Sequence, residues 1–470
     1  MLDNKINNDF LKSRDSFGNR YNIVVSLSLD GLNDLNITDT VSDIKSIKYS
    51  MWNFATCELI LNDKGKKVNR LYFLNSINIM RIKFLSPESN NELSFSGRIV
   101  EFKPIDFDKD IYYVKLYSQW NFFNITPNRV KISVSGEKIV TDVLKEIITY
   151  KITVNENNDD NFNLFQLMSA DGGLFNCSKS ADDIKLNNFI VPNWNITEIL
   201  NYFSEMSITN DGYGFLWYED VNGLYFYSVK DFENLFSSIQ PTIFHFNKNQ
   251  SLSLYKEREN KNVKRSEDVD GGITNRNVIY DYEVLGFNIV ELAKNNAGNQ
   301  RRIIFDYTTK QVLEKYELSF NDYFTKHETI NRSSLLGNDS MYAMGNRNPI
   351  EDREIDSQLY SSNGRNTNSI TKSLFNNFQI KIKTNFLPEY SLGMKVYLEV
   401  PAIGDDGEYK YLNGQWLVIG IEHKYEVSSS YDNKPLATSI LTLGRDSKEY
   451  SELDKLNKSI TKTEKSITGV

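Results

Sequence analysis

The sequence predicts a strand-rich α+β protein with two similar antiparallel β-barrel domains and α/β modules inserted between and within them. Three observations predict this class. Apolar and polar residues alternate with period two in residues 378–443 and again in residues 21–117, as in strands that bury one face. Between these regions the apolar spacing becomes helical, so a helix-containing module separates two strand-rich regions.

The first strand-rich region, residues 20–120, follows a polar N-terminal arm, residues 1–19. Clusters of turn residues at 62–65 and 86–91 divide it into short segments. Candidate strands lie at 21–29, 46–50, 56–61, 77–84, 93–102 and 112–117. We interpret this region as the first barrel, a tube-like domain.

The α/β module, residues 121–244, carries two helical patterns. In the first, Ser135 is a candidate N-cap, and the apolar stripe comprises Ile139, Val140, Val143, Leu144, Ile147 and Ile148. In the second, Asn195 and Glu198 form a predicted capping box, and the stripe comprises Ile196, Ile199, Leu200, Phe203 and Met206. Both stripes are expected to cover a sheet.

A β-hairpin is predicted at residues 213–229. Two alternating segments, 213–219 and 224–229, flank Asn222-Gly223. Because Asn-Gly tolerates positive φ, a type I′ turn is expected there.

The second barrel is assigned to residues 245–324 and 378–446. Its first part contains candidate strands at 278–285, 302–310 and 316–323, and its second part alternates through 378–383 and 394–400 before a Gly414-Gln415-Trp416 turn and strands at 417–425 and 438–443. Residues 325–377 are rich in Asn, Ser and Arg and are interpreted as a polar insertion, mobile or ordered by a partner, with helices near 350–360 and 369–375.

The C-terminal tail, residues 447–470, has apolar residues at near-heptad spacing. They are Leu453, Leu456, Ile460 and Ile467. Such spacing is typical of an oligomer contact, and equally of a short surface helix or a frayed end.

Composition excludes several classes of protein. The 470 residues are 40% hydrophobic and 13% aromatic, enough for about three domains. The formal net charge of −8 argues against a nucleic-acid binder, which needs a basic surface. Cys57 and Cys177 are the only cysteines, so a disulfide framework is not expected, and neither a signal peptide nor a membrane-spanning apolar run is evident.

No catalytic, cofactor or metal site is predicted. His327-Glu328 begins like a zinc-protease motif but lacks the second histidine. His245 and His423 are expected to be structural, and the carboxylates of 268–272 and 405–407 lack the ligand spacing of a calcium loop. Carboxylate pairs are plentiful among 62 acidic residues but have no landmark of a glycosidase. The sequence therefore predicts a protein that is not an enzyme and binds no cofactor.

The chain resembles the central baseplate hub proteins of contractile-tailed bacteriophages, whose hub part is shared with type VI secretion spike proteins. The resemblance runs over residues 21–445 and is carried by Leu392-Gly393-Met394-Lys395-Val396, Val400-Pro401, Leu412–Val418, His423-Lys424-Tyr425, Leu441-Thr442-Leu443, Tyr227-Ser228-Val229 and Asp322-Tyr323-Phe324.

The resemblance implies a structural role. It implies a homotrimer whose six barrels match one layer of a hexameric tail tube above and join a trimeric central spike below. The implied partners are the tail tube protein, the spike protein and other baseplate proteins, with DNA only in transit. The implied location is the virion tail baseplate, assembled in the host cytoplasm.

Two alternatives stay open at this point. One is a tail-associated enzyme that degrades peptidoglycan. The other is the hub of a type VI secretion system or of a contractile bacteriocin particle, although a spike protein of that kind normally continues into a long β-helix.

Overall fold

The computed structural model describes residues 11–14, 20–28, 35–66, 68, 79–85, 92–106, 108–125, 133–140, 142–147, 174–177, 185–191, 193–207, 209, 214–232, 242–246, 278–287, 300–306, 311–318, 341–344, 378–386, 388–399, 412, 414–426 and 436–445. Within these ranges the chain is strand-rich, as predicted. No helix in them is long and apolar enough to cross a membrane.

Most described residues lie in strands. Those of the N-terminal part are β1 Leu11–Arg14, β2 Arg20–Ser28, β3 Leu35–Asn36, β4 Val41–Ser50, β5 Thr56–Asn62, β6 Ile79–Leu85, β7 Glu92–Asp106 and β8 Ile111–Ser118. Those of the middle part are β9 Ser133–Ile139, β10 Leu174–Cys177, β11 Lys185–Ile190, β12 Phe215–Asp220 and β13 Gly223–Ser228. Those of the C-terminal part are β14 Thr242–Phe246, β15 Val278–Phe287, β16 Gln300–Asp306, β17 Gln311–Leu318, β18 Met341–Met344, β19 Phe378–Asn385, β20 Lys395–Glu399, β21 Gly414–Glu426 and β22 Leu436–Arg445.

The described residues include several helical segments, most of them in the middle of the chain. They are a 3-10 turn at Thr38–Thr40, α1 Gln119–Ile125, α2 with helical residues 140 and 142–147, α3 Ile196–Met206, and α4 at 229–232.

One large, curled sheet of 14 strands dominates the fold. Its order is β1-β22-β19-β15-β14-β20-β21-β4-β5-β8-β7-β6-β2-β3, and β1–β2 and β21–β22 also pair. Its pairings are antiparallel except those of β14 with its two neighbours and the contact of β1 with β22. Smaller sheets are β10-β13-β12, β9-β11 and β17-β16-β18.

The N-terminal half of the large sheet curls back on itself. Following the pairings from β4 through β5, β8, β7, β6 and β2 leads to β3, which precedes β4 in the chain. The Ile37 N–H donates to the Val25 carbonyl at 2.9 Å, and the Val25 N–H donates to Thr38 Oγ1 at 2.8 Å. These bonds extend the β2–β3 pairing into the bend that begins β4, and we call this set of strands the first circuit.

The C-terminal half forms a second circuit. It runs β14, β15, β19, β22, β21 and β20 and returns to β14, and the β21–β22 pairing completes it. Pairing of β4 with β21 then joins the two circuits into one sheet.

Period-two burial explains why these segments form strands with one buried face. In β5 and β8 every second residue is buried, as the alternation predicts. The large apolar core takes side chains from both circuits, among them Ile23, Leu59, Phe84, Leu116, Phe244, Ile382, Val418 and Leu441. A second core lies between the helices of the module and the β12–β13 hairpin, and includes Trp120, Val143, Leu144, Leu200, Phe203 and Trp217.

Two local predictions in the α/β module were wrong. Ser135 lies inside β9 and does not cap α2, although Val140, Val143, Leu144 and Ile147 are buried on that helix as expected. The β12–β13 hairpin forms where predicted, but its turn is not type I′. The turn residues Val221 and Asn222 do not have positive φ, and the positive φ of 138° falls on Gly223, because the branched side chain of Val221 disfavours the left-handed region.

Several predicted elements lie where the chain is described only in part. Strands β16 and β17, assigned to the second barrel, lie in a separate sheet, in which β16 pairs with β17 and with β18 of the predicted insertion. The tail residues Leu453, Leu456, Ile460 and Ile467 lie outside the described residues, as do the predicted helices near 350–360 and 369–375. The domain boundaries stay predictions.

Gly97 lies where β7 passes close to β8. A Cβ atom there would lie 2.7 Å from the Tyr117 carbonyl oxygen and 2.8 Å from the Phe95 ring. We therefore expect Gly97→Ala to lower the free energy of unfolding by about 1–3 kcal/mol, the usual cost of overpacking. Urea titration followed by circular dichroism measures it. Ser94→Ala, at a half-buried position of the same strand, is the control, and an equal loss in both variants would contradict the close-approach argument.

Candidate functional site

The turn between β4 and β5 is the point where three parts of the fold meet. The Met51 N–H donates to the Ile419 carbonyl in β21 at 3.0 Å, and Met51 also forms a β-bridge with Tyr218 of β12. The next N–H, that of Trp52, donates to the Trp217 carbonyl at 2.9 Å. One short turn thus joins the first circuit, the second circuit and the hairpin of the module, and we call residues 51–55 with their partners the three-way junction.

The β4–β21 pairing continues the junction along the sheet. It aligns Gly420 with Ser50 and Glu422 with Lys48, and Lys48 Nζ lies 3.7 Å from Glu422 Oε1. At Gly420 a Cβ would lie 3.2 Å from the Thr442 Cβ, so a small residue lets the strands approach. An exposed ion pair of this kind adds less than about 1 kcal/mol, and the backbone ladder carries most of the contact.

Glu219 is buried at the end of β12 and ties the hairpin to the first circuit. Its Oε2 accepts hydrogen bonds from the Ala55 N–H at 2.8 Å and from the Ser118 hydroxyl at 2.7 Å. Burial raises the pKa of the Glu219 carboxyl to about 8, although both hydrogen bonds act in the opposite direction. A buried carboxyl with this pKa is largely protonated at neutral pH.

Asp220, the next residue, faces the second circuit. Its Oδ1 accepts from the Val221 N–H at 2.7 Å, and the Leu392 backbone hydrogen-bonds to the same carboxyl. Burial raises the pKa of Asp220 to about 6. Two adjacent carboxyl groups therefore hold one hairpin to both halves of the large sheet.

Helix α3 supports the hairpin from the other side. The predicted capping box forms, with the Glu198 N–H donating to Asn195 Oδ1 at 2.8 Å and the Asn195 N–H donating to Glu198 Oε2 at 2.7 Å. Trp217 Nε1 donates to Asn201 Oδ1 of the helix at 2.9 Å. Sequence patterning thus placed the helix correctly, and this bond fixes it over β12.

Of the histidines and acidic loops selected from the sequence, the structure describes His245 and His423. His245 lies in β14, whereas His327, the loop 268–272 and the loop 405–407 lie outside the described residues. In the described ranges no three His, Cys, Asp or Glu side chains are grouped to hold a metal ion. The prediction of a turn at Gly414-Gln415-Trp416 was wrong, because these residues lie in strand β21 and pair with β20. Trp416 is buried, and its Nε1 donates to the Leu412 carbonyl at 2.9 Å.

His423 has a structural environment, as predicted. It is buried in β21, its Nδ1 lies 2.8 Å from Ser439 Oγ, and its ring meets Phe386 edge-on with centroids 5.1 Å apart. Its Nε2 has no hydrogen-bond partner among the described residues. Burial lowers the pKa of His423 from 6.5 to about 3, since nothing in this environment favours the charged ring.

Acid should therefore lower the free energy of unfolding of the protein through His423 in the second circuit. Because the folded pKa lies below the unfolded one, the unfolded chain binds the extra proton between pH 6.5 and 3, and stability is lost as pH falls through that range. At pH 4 the loss is about 3 kcal/mol relative to pH 7.5. Urea unfolding of the wild-type chain and of His423→Gln at both pH values measures it. A variant with the same pH dependence as wild type would contradict this role.

Sequence reasoning missed Glu219 and Asp220. The available signal was two acidic residues directly after the apolar run Phe215-Leu216-Trp217-Tyr218. That pattern is also typical of a strand that ends at a solvated turn, so the sequence did not reveal their burial.

Solved structures with a similar fold come from phage tails and from type VI secretion. A 43 kDa tail protein of prophage MuSo2 from Shewanella oneidensis is 8% identical, with 90% of this chain and 98% of that chain covered at a TM-score of 0.48. Prophage tail protein gp18 from Listeria monocytogenes is 10% identical, with 93% and 99% covered at 0.42.

A third structure is an Escherichia coli component of the type VI secretion system, described as structurally similar to bacteriophage T4 tail proteins. It is 9% identical, with 89% of this chain and 76% of that chain covered at a TM-score of 0.41. No family model and no curated protein matches the chain.

Proposed function

We propose that this chain is a structural hub subunit of a contractile-tail baseplate. In this role three copies join a hexameric tail tube to a trimeric central spike and leave a channel for DNA. The proposal rests on the sequence resemblance and on one observation, the equal strand order of the two circuits. It assigns the protein to the virion tail and gives it no enzymatic activity.

The two circuits have the same connectivity when their strands are numbered one to six in chain order. The first circuit takes β2, the bent β3–β4 strand, β5, β6, β7 and β8; the second takes β14, β15, β19, β20, β21 and β22. Both close in the order one, two, three, six, five, four. The one difference is strand β14, which runs parallel to its neighbours where β2 is antiparallel.

Irregularities of the strands recur at equivalent places. Each fifth strand has a bulge directly after the last residue that pairs with the fourth strand. This bulge lies between Ile99 and Glu101 in β7 and between Val418 and Gly420 in β21. In both second strands another bulge lies near the start, in β4 between Val41 and Asp43 and in β15 between Ile279 and Asp281. Bulges are positional features of a fold, so these favour two similar barrels.

Two similar barrels in one chain reconcile different symmetries. Three copies of such a chain present six similar units around one axis, so that a threefold object contacts a sixfold one. A chain with one barrel would present only three.

Native mass spectrometry tests the proposal on the purified full-length chain, alone and mixed with the tail tube and spike proteins of the same particle. We expect a trimer that binds both proteins. A chain that stays monomeric with both partners present would overturn the proposal. Clearing of peptidoglycan in a zymogram would instead support the enzyme alternative.

A further inference from the structure

Strand β21 changes partner along one of its edges. As far as Leu417 this edge pairs with β20, and from Gly420 onward it pairs with β4. The opposite edge pairs with β22 from Leu417 to Glu426. The part of β21 that lies beyond its pairing with β20 thus pairs with β4. In other words, a fifth strand of one circuit pairs with the second strand of the other circuit.

Each circuit has a fifth and a second strand, so the chain contains one more fifth strand, β7, and one more second strand, β15. Strand β7, the fifth strand of the first circuit, pairs with β6 only as far as Arg98, and β15, the second strand of the second circuit, pairs with β14 only at Val278 and Ile279. Among the strands that the structure describes, none pairs with the remaining length of either edge. Arg98 and Leu417 are equivalent residues, since each is the last to pair with a fourth strand and each precedes the bulge.

Side chains on these two segments have the character of an interface. Ile105 of β7 is 56% exposed and Leu285 of β15 is 40% exposed, and they are two of the four large exposed hydrophobic residues in the described ranges. Lys103 of β7 is 65% exposed, whereas Asp281 and Glu283 of β15 are exposed acids. Long exposed strand edges usually bind a partner or are protected.

We propose that residues 99–106 of one copy pair antiparallel with residues 281–287 of a second copy, which repeats between chains the junction that β21 and β4 make within one chain. This inference rests on the proposed function and names its trimer contact. Because each copy offers β7 to one neighbour and β15 to the other, the contact is head-to-tail, and it closes a ring of three copies.

The internal junction also predicts the register. Glu422 of β21 pairs with Lys48 of β4. Lys48 and Gly286 occupy equivalent positions, because each pairs with the equivalent residue of the third strand in its own circuit. Lys103 occupies the place of Glu422, so Lys103 lies opposite Gly286, and Ile105 lies diagonal to Leu285. Diagonal neighbours on adjacent strands are within reach of long side chains. Pro104 donates no N–H, so one bond of this ladder is absent.

Charged substitutions test the contact on the full-length chain. We expect Ile105→Lys and Leu285→Lys each to weaken the trimer at least tenfold, measured as the trimer dissociation constant by analytical ultracentrifugation. Ile125→Lys and Ile190→Lys are matched controls, because these residues are 51% and 61% exposed and lie outside both segments. They should leave the trimer intact, and circular dichroism checks that all four variants fold.

A crosslink tests the register independently. The double variant Lys103→Cys with Leu285→Cys should form disulfides between copies on oxidation, and each single variant should not. If the wild-type chain is a trimer while both lysine variants stay trimeric and the crosslink is absent, the contact is overturned and the proposed function stands. A wild-type chain that is monomeric with its tube and spike partners overturns both.

Discussion

Replacing Trp217 with alanine is expected to lower the free energy of unfolding by about 3–5 kcal/mol, the usual cost of emptying a buried tryptophan site. The side chain is fully buried. Its ring contacts Phe54 with centroids 5.1 Å apart, and its indole N–H donates to Asn201. The substitution removes apolar contacts from the three-way junction and leaves the Asn201 carbonyl without this donor.

Chemical denaturation followed by circular dichroism measures the effect of Trp217→Ala. Tyr117→Ala is the control, because Tyr117 is half-buried on β8 and its loss should cost at most about 1 kcal/mol. Equal losses in the two variants would show that the junction contributes no more than an ordinary surface position.

Replacing Glu219 with glutamine is expected to remove a loss of stability that accumulates between pH 4.5 and pH 8. The folded pKa of about 8 lies above the ordinary value of 4.5, so the folded chain keeps a proton that the unfolded chain releases. The stability from this group is complete below pH 4.5 and is lost as pH rises through 8. Between pH 5 and pH 8.5 this group lowers the free energy of unfolding of the wild-type chain by about 4 kcal/mol.

The readout is the pH dependence of unfolding, since glutamine keeps an acceptor for Ser118 and Ala55 without the charge. Wild type should lose stability between pH 5 and pH 8.5 relative to Glu219→Gln. Glu58→Gln, at a half-buried position on β5, is the control and should follow wild type. If Glu219→Gln also follows wild type, the carboxyl is already ionised in the folded chain.

Strands with alternating residues were predictable from the sequence. Apart from β3 and the first half of β4, which were not predicted, those of the first circuit and β19 to β22 lie within a few residues of the predicted segments, because one face of each is buried and the other is solvated. The capping box of Asn195 and Glu198 was predictable for a similar reason, since its signal is local.

The three-way junction could not be predicted in this way. The Ala55 to Glu219 hydrogen bond spans 164 residues and the Ser118 to Glu219 bond spans 101, and no local pattern encodes such contacts. Strand β14 illustrates the same limit, because its parallel direction follows from tertiary packing. The tail residues Leu453, Leu456, Ile460 and Ile467 carry only a local pattern, and their role stays a prediction.

The joined sheet has a mechanical consequence for a hub. Pairing of β4 with β21 makes one continuous ladder through both circuits, and Glu219 and Asp220 fix the hairpin module over the same point. A force on either circuit is thereby transmitted through backbone hydrogen bonds rather than through a flexible linker. This arrangement suits the proposed role of a subunit that holds a tube and a spike in register.

In the proposed assembly, one chain supplies two similar units to a threefold ring. End-on class averages of the purified oligomer by electron cryomicroscopy test it most directly. We predict a ring of six similar lobes that repeats with threefold symmetry. A ring of three lobes, or particles without threefold symmetry, would contradict the account.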